Sequence, residues 1–485
     1  MIVSAMIKLI LLFPLIACVV LFFVRSIKLS KLSILFYAVL HFFVTLGLYF
    51  NGVDSSIIPS DIFEGYFKVD SLNILFLLIL SVIFLGVSIY NNGFLKNRQI
   101  SNKEFTYYAI AFLLFISSMT GTILSTNLGL SWVLIEATTL ASAYLIYFKK
   151  TKHSIEAAWK YVFICSIGIA LAFVGIILLS IATGKMNSLF FNDLYLNPAT
   201  INTFWLKLSF VFILIGFGTK MGLAPVHSWL PDAHSEAPSP ISALLSATLL
   251  NSAFLIILRV FRIMELTHTD HYARILLICM GLLSLFITAV FVSNINNYKR
   301  LLAYSSIENM GIIAIGTAVG GPGLYAALLH ITGHSLIKSS FFMTAGNILK
   351  TFRTKKIDEI SGIIQVDKTT GWLWVLCFAG IVGLPLSPLF ISEFLLLKQL
   401  ILKNHFVIAA VFLILLTIIL YGIGKAVINM SFGVIKPDRE IEKIKNKCMY
   451  IPQIAFISIS IILGLWIPPV LNTLIKNAVM AMSVN

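Results

Sequence analysis

Charged residues are scarce in this sequence. Asp, Glu, Lys and Arg make up 11% of its 485 residues, whereas about 25% is usual for a soluble domain. That deficit excludes an ordinary soluble protein. Apolar runs of about 20 residues recur from end to end, and each could cross a bilayer as a helix. Strands of alternating polarity, as in a membrane barrel, are not evident. We therefore predict an all-α, polytopic membrane protein.

Cysteine is also scarce, and its placement gives no sign of a cofactor. The five cysteines are scattered, four of them within apolar runs. No CxxC motif or Cys/His spacing of a metal or iron–sulfur site is present, and no flavin or quinone motif is evident. We predict no metal, no cofactor and no catalytic site in this chain, so any redox cofactor would belong to a partner.

The formal net charge of +15 is explained by membrane topology rather than by nucleic acid. We count fourteen predicted spans. Basic residues cluster in loops after odd-numbered spans, at 25–31, 96–103, 149–152, 299–300, 350–356 and 436–447. The loop after span two is acidic instead, at 54–64. The positive-inside rule then places both termini outside the cytoplasm, in a cell-membrane protein. The apolar N-terminus lacks a small-residue cleavage site and is predicted to be span one.

The stretch 219–250 interrupts predicted span seven, 204–223. Lys220 lies near the end of that span, and Pro225 removes a backbone donor. A lysine in the hydrocarbon region costs roughly 3 kcal/mol, and backbone freed in lipid needs partners. Both costs in one place indicate a functional site, although a lysine near a helix end can also snorkel to the interface.

A second interruption, Gly383-Leu384-Pro385, lies in predicted span twelve, 371–400. The two interruptions are five spans apart, an odd number, so the copies would face opposite ways. Paired interrupted helices are the usual pointer to a transport site. We predict two inverted five-helix units. The predicted divisions are 1–104 (spans one to three), 105–261 (spans four to eight), 274–432 (spans nine to thirteen) and 450–485 (span fourteen).

Titratable residues inside the predicted spans are the candidate proton carriers. Glu136 in span five would pair with Lys220, and their separation would release a proton, although a static ion pair is the alternative. His330, His334 and Lys338 are spaced four apart and would share a helical face; metal ligation by the two histidines is a further alternative. The full predicted set is Glu136, Lys220, His227, His234, Glu308, His330, His334, Lys338, Glu393 and Lys425.

The stretches around these residues resemble a known family of membrane subunits. GTKMGLAPVHSWLPDAHSEAPSPISALLS resembles the hallmark of the antiporter-like proton-translocating subunits of complex I, Mrp antiporters and membrane-bound hydrogenases. NNYKRLLAYSSIENMG and LLHITGHSLIKSSFFMTAGN extend the resemblance over spans four to thirteen. WVLIEATTLASAYL is most similar to the hydrogenase-4 component F subgroup. The resemblance implies fourteen helices, inverted repeats with helices seven and twelve broken, and a Glu136–Lys220 pair. It also implies that His330, His334, Lys338 and Glu393 belong to a central polar axis.

The sequence departs from that family at Asn251, where a lysine is frequent in span eight. The implied function is proton translocation in a larger membrane complex driven by a redox module of hydrogenase-4 or complex I type. The implied partners are the other membrane subunits and the lipid bilayer, with protons, or sodium, as the transported ion and no nucleic acid. Two alternatives remain: a proton path for an ion or inorganic-carbon uptake complex, and a non-conducting structural subunit.

Overall fold

A computed structural model describes residues 2–52, 65–95, 100–186, 188–435, 441–442, 444 and 446–482. The whole of the predicted acidic loop at 54–64 and several predicted basic loop residues, at 96–99, 436–440, 443 and 445, lie outside the described residues. The chain is helical throughout the main body of the fold, so the predicted all-α membrane class is confirmed.

The principal helices follow one another in chain order. They are α1 (Ile2–Val24), α2 (Ile27–Gly52), α3 (Ser71–Phe94), α4 (Asn102–Leu124), α5 (Leu128–Tyr147), α6 (Lys152–Thr183), α7 (Thr203–Met221), α8 (Trp229–Glu236), α9 (Ser239–Leu266), α10 (Asp270–Val292), α11 (Tyr298–Val319), α12 (Pro322–Phe352), α13 (Lys368–Ile381), α14 (Pro388–Leu402), α15 (Phe406–Ser431), α16 (Ile451–Leu465) and α17 (Pro469–Met482).

Twelve helical segments within the described ranges are long and apolar enough to cross a membrane. Two further predicted spans do not meet this requirement of length and apolar composition, and their helices show why. Helix α12 is long but carries buried polar residues along its length. Helices α13 and α14 have 14 and 15 residues, so each is too short to cross a core about 30 Å thick. The count of fourteen spans stays a prediction.

The predicted span at 450–474 is wrong in its extent. Helix α16 ends at Leu465, and α17 begins only at Pro469. Pro468 and Pro469 follow the last turn of α16. Because proline lacks an amide proton and disfavours helical geometry in the residue before it, the two prolines end the helix there.

Both interruptions end a helix in the same way. At the end of α7, Gly222 has φ +83°, its amide donates to Thr219 O, and the Leu223 amide donates to Gly218 O. After α13, Gly383 has φ +66°, its amide donates to Gly380 O, and the Leu384 amide donates to Ala379 O. This paired bonding is the Schellman motif, which favours glycine at the left-handed position. A Gly-Leu-Pro or Gly-Leu-Ala-Pro sequence therefore encodes each break.

Helices α6 and α7 approach each other closely. A Cβ on Gly216 of α7 would lie 2.6 Å from the backbone oxygen of Gly168 in α6. Small residues at such crossings let membrane helices pack backbone against backbone. The centre of the molecule is formed by α9 and α11, whose apolar windows are fully buried, and by α12 beside them. The buried polar residues described below are carried mainly by these central helices and by the α5–α7 group.

Candidate functional site

Lys220 is fully buried in the last turn of α7. Its Nζ donates to Thr139 Oγ1 on α5 and to the Tyr161 hydroxyl on α6, both at 2.7 Å. The same Nζ lies 4.6 Å from the centroid of the Tyr161 ring. The lysine is thus held by two hydroxyl groups and an aromatic face, directly before the Gly222 break.

Glu136 does not touch Lys220, which corrects the predicted direct pair. Among the described residues no contact of 4 Å or less joins the two charges. Instead the Thr139 hydroxyl donates to Glu136 Oε2 at 3.1 Å, and the Ser166 hydroxyl donates to Oε1 at 2.9 Å. Glu136 and Thr139 are three residues apart on α5 and therefore share a face. The threonine hydroxyl stands between carboxylate and ammonium and can pass a proton from one to the other.

The two predicted histidines of the first interruption lie in different surroundings. His227 sits in the loop before α8, with its ring centroid 6.4 Å from that of Tyr304. His234 is fully buried in α8, stacked 5.0 Å from Phe342 and 6.5 Å from Trp229. Neither ring nitrogen of His234 has a hydrogen-bond partner in the part of the chain that the structure describes.

The other side of α8 carries carboxylates toward the basic loops. Asp232 pairs with Arg300 at 3.0 Å and with Lys160 at 3.4 Å, while Glu236 pairs with Lys355 at 2.6 Å. These two carboxylates line a polar cavity of about 280 Å³. One short helix therefore separates a charged cavity from the buried imidazole of His234.

A second buried lysine, Lys338, lies within the predicted second unit. It is fully buried in α12, and its Nζ donates to Leu302 O at 2.7 Å and to Ser305 Oγ at 2.9 Å, both on α11. The Nζ lies 6.0 Å from the Phe342 ring centroid. Since His234 stacks on that same ring, Phe342 lies between the two titratable groups.

A hydrogen-bonded series continues from Lys338. The Asn309 side chain donates to Ser305 O at 2.6 Å, and Asn309 Oδ1 lies 2.9 Å from His330 Nε2. His330 Nδ1 lies 2.8 Å from Ser392 Oγ on α14. Both imidazole nitrogens are thus engaged by polar side chains. Within the described ranges, no three His, Cys, Asp or Glu side chains are placed to hold a metal.

His334 lies one turn from both neighbours, as predicted. His330, His334 and Lys338 are all buried on α12. The two nitrogens of His334 have no hydrogen-bond partner among the described residues, so its ring is surrounded by groups that neither donate to it nor accept from it.

Asn251 lies in the predicted first unit and contacts a residue of the predicted second. Its amide donates to Ala247 O at 2.6 Å and to Ser335 Oγ on α12 at 2.9 Å. Residues Leu245–Leu249 form a π-helical turn, and Ser335 Oγ also donates to Ala247 O at 2.9 Å. π-Turns frequently occur at functional sites because they release backbone groups from the regular ladder. Here the Ala247 carbonyl accepts hydrogen bonds from Asn251 of α9 and from Ser335 of α12, and so links the two helices.

The last predicted residues divide into two groups. Glu308 on α11 and Glu393 on α14 line one cavity, so the structure brings them together. Lys425 does not join them: it lies on the exposed side of α15. Its part in proton translocation stays a prediction, on a helical face that points away from the core.

Several site residues were not predicted from sequence. Thr139, Tyr161, Ser305, Asn309 and Ser392 are neutral and therefore inconspicuous in a membrane span. Tyr161 alone leaves a signal, since its hydroxyl falls in an apolar segment and needs a partner there.

Comparison with known proteins identifies the family of this chain. The family model described as NADH:quinone oxidoreductase/Mrp antiporter, TM, matches residues 125–419. The chain belongs to this family. Among its relatives, a hydrogenase-4 component F homolog from Methylacidiphilum infernorum is 34% identical over 472 residues, which cover 95% of this chain and 96% of that protein. The predicted resemblance is thereby confirmed.

Solved structures of this antiporter family share the fold. A chain of the Mrp complex from Dietzia sp. superposes with a TM-score of 0.88 at 17% identity, covering 99% of this chain and 97% of its own. A chain of an archaeal membrane-bound sulfane sulfur reductase gives 0.87 at 22% identity, covering 99% and 98%. Both chains are parts of larger complexes. At these identities the likeness establishes the fold alone.

Proposed function

We propose that this chain translocates protons as an antiporter-like membrane subunit of a redox-driven complex. The observation that carries the proposal is Lys220: a fully buried lysine, at a helix break, linked through one hydroxyl to a carboxylate. Intramembrane ionisable residues in such places mark proton relays. The family relationship, including a relative named as a hydrogenase-4 component, supports a place in a larger complex.

In the first unit, Thr139 is the switchable contact. While its hydroxyl bridges Glu136 and Lys220, the carboxylate stabilises the ammonium charge through the hydrogen bond. A movement that carries α5 away from α7 would break the bridge and leave the ammonium in a low-dielectric site without its counter-ion. The lysine would then release its proton, because burial disfavours the charged form.

In the second unit, the proton moves along polar groups between α11, α12 and α14. His234 and Lys338 lie beside Phe342, and the hydrogen bonds of Ser305 and Asn309 hold Lys338 and His330, the next protonatable groups, in place. We propose that the carboxylates Asp232 and Glu236 beside the basic loops supply protons to His234. Glu308 and Glu393 receive them at the far end, since their cavity adjoins the second break.

The test is purification of the intact assembly in mild detergent, followed by identification of its subunits and by measurement of proton uptake after reconstitution. We expect co-purifying membrane subunits, a redox module, and proton uptake that depends on its substrate. A partner devoted to ion or inorganic-carbon uptake would redirect the proposal. An assembly that turns over without moving protons would favour a structural subunit.

The proposed orientation follows from the basic loops. If fourteen spans alternate through the membrane, both termini lie on the extracytoplasmic side. A reporter that fluoresces only in the cytoplasm, fused after Asn485, should be dark, whereas the same reporter inserted in the 350–356 loop should be bright. A bright C-terminal fusion would contradict the span count.

Asn251 should limit proton transfer between the units, because an amide cannot hold a proton at neutral pH. We expect Asn251→Lys to raise proton uptake severalfold in reconstituted complexes, by adding a protonatable amine beside Ser335 of α12. Asn251→Ala removes the amide without adding a charge and should give no increase. An unchanged or lower rate in the lysine variant would show that transfer bypasses this position, through Lys338.

A further inference from the structure

Two cavities meet on the outer surface between α13 and α16. The larger, of about 330 Å³, runs along the first half of α13, and the smaller, of about 100 Å³, lies beside the second break. Leu376, Ile457 and Ile461 line both cavities, so the two form one continuous depression, which we call the α13–α16 groove. Its lining residues recur every three or four positions on each helix, so one face of each helix forms a wall.

The walls of the α13–α16 groove are apolar and face outward. Trp372 is 53% exposed, Leu376 42% and Ile454 46%. Helix α13 has 14 residues and is therefore about 20 Å long, whereas the hydrocarbon of one leaflet is roughly 15 Å thick. The groove is thus long enough to hold an acyl chain from the membrane surface to the centre of the bilayer.

The end of the groove at the start of α13 is polar. Lys368 and Thr369 line it, and both are exposed. Among the described residues, no carboxylate lies within 4 Å of the Lys368 ammonium. The neighbouring Asp367 instead accepts hydrogen bonds from the amides of Thr369 and Thr370 and, at 2.6 Å, from the Tyr450 hydroxyl. The ammonium is therefore available to an anion from outside the chain.

The surroundings of this end suit an anionic headgroup. Lys368 follows the basic loop at 350–356, which is predicted to be cytoplasmic. Lys350 Nζ lies 3.9 Å from Met449 Sδ, just before α16, and Lys447 is exposed nearby in the chain. Basic residues at this level attract the anionic lipids of the cytoplasmic leaflet, and Trp372 is typical of the membrane interface. The charge at the start of the groove thus complements a lipid phosphate.

The other end of the groove suits the tail of an acyl chain. At the second break, Ala379 O accepts from the Leu384 amide and Gly380 O accepts from the Ser387 hydroxyl. These backbone acceptors are satisfied within the chain, as a membrane requires, and the exposed side chains there include Leu384 and Leu386. A cavity of about 100 Å³ has no room for a helix about 10 Å across.

We propose that the α13–α16 groove binds one anionic phospholipid of the cytoplasmic leaflet. Its phosphate lies at Lys368, and one acyl chain follows Trp372 and Leu376 to the second break. The cation and the apolar walls recognise different parts of the same molecule. A transmembrane helix of another subunit is the competing occupant, but it is too wide for the far end and brings no phosphate to Lys368.

The test is photolabelling of the intact complex in vesicles that contain a small fraction of a phospholipid with a diazirine near the end of one acyl chain. Two probes with identical chains carry a phosphatidylglycerol or a phosphatidylcholine headgroup, and labelled peptides are identified by mass spectrometry. We expect the glycerol probe to label residues 384–387 and 457–461 at least threefold more than the choline probe. Lys368→Gln should abolish that preference, whereas Lys152→Gln, which removes an exposed lysine at the start of α6, should keep it.

A second pair of variants tests the apolar part of the groove. Leu376→Trp fills the groove where its two cavities meet and should reduce labelling of residues 384–387 at least fivefold. Ile459→Trp adds the same side chain to α16 at an exposed position outside the groove and should be labelled as the wild type is. Thermal unfolding checks that both variants fold, which we expect because both positions are partly exposed.

Three results would overturn the proposal. One is equal labelling of the wild type by the two probes, which is expected of lipid that merely surrounds the protein. Another is unchanged labelling in Leu376→Trp. The third is cross-linking of the groove to another subunit without any lipid adduct, which would show that a protein covers it. Labelling is recorded without turnover, so its result is independent of the proton uptake measurement.

Discussion

Glu136→Gln and Lys220→Ala should each reduce proton uptake by the assembled complex more than tenfold. The glutamine keeps the size of the side chain but removes the charge that stabilises the Lys220 ammonium through Thr139. A lysine that cannot reload its proton cannot take part in transfer. The alanine variant fails for the complementary reason, since it leaves no proton carrier at the break. Both measurements use intact purified complexes, with partner redox activity recorded in parallel.

The hydroxyl of Thr139 supplies a matched control within one helix. Thr139→Val breaks the bridge between the two charges and should impair uptake. Thr138→Val removes a buried neighbouring hydroxyl that donates to Ile135 O and touches neither charge, so uptake should be retained. Normal uptake in Glu136→Gln or Lys220→Ala would refute the assignment. Loss of the assembled complex in both would instead indicate a static contact, made through Thr139, that holds two helices together.

The charges at this site could be predicted from the sequence, but their connection could not. Glu136 and Lys220 stand out because ionised groups are costly in apolar spans. The rotation of α5 and α7 about their axes decides whether the two side chains meet, and sequence spacing does not give that rotation. Thr139 lies between the two charges, and Tyr161 accepts a second hydrogen bond from the ammonium. A threonine hydroxyl is common in membrane helices, so the sequence gives no reason to single out Thr139.

The breaks were predictable because their cause is local. Gly222 and Gly383 are followed by leucine and then proline within three residues, and a left-handed glycine with a nearby proline ends a helix whatever surrounds it. The same reasoning applied to Pro468 and Pro469 would have ended span fourteen at Leu465. The exposure of Lys425 could not be predicted for a different reason: the orientation of α15 is set by which face packs inward, and a uniformly apolar helix gives little periodicity from which to read that face.

Lys338 links the units in the proposed path, and its replacement should have an effect as large as that of Lys220. Lys338→Met keeps most of the side-chain volume but removes the ammonium that donates to Leu302 and Ser305. Proton uptake should fall more than tenfold, because the proposed path then lacks the amine between His234 and His330. Lys350 lies twelve residues further along α12 and is only half-buried, so Lys350→Met should leave uptake unchanged.

Lys338→Arg separates a proton carrier from a fixed positive charge. Arginine keeps the charge and the donors but is effectively never deprotonated in proteins. If Lys338 only stabilised the packing of α11 against α12, the arginine variant would restore assembly and uptake together. If Lys338 carries protons, arginine should restore assembly but not uptake, because a guanidinium that cannot lose its proton cannot pass one on toward His330. Restored uptake in the arginine variant would therefore exclude Lys338 as a carrier and leave it a purely electrostatic role.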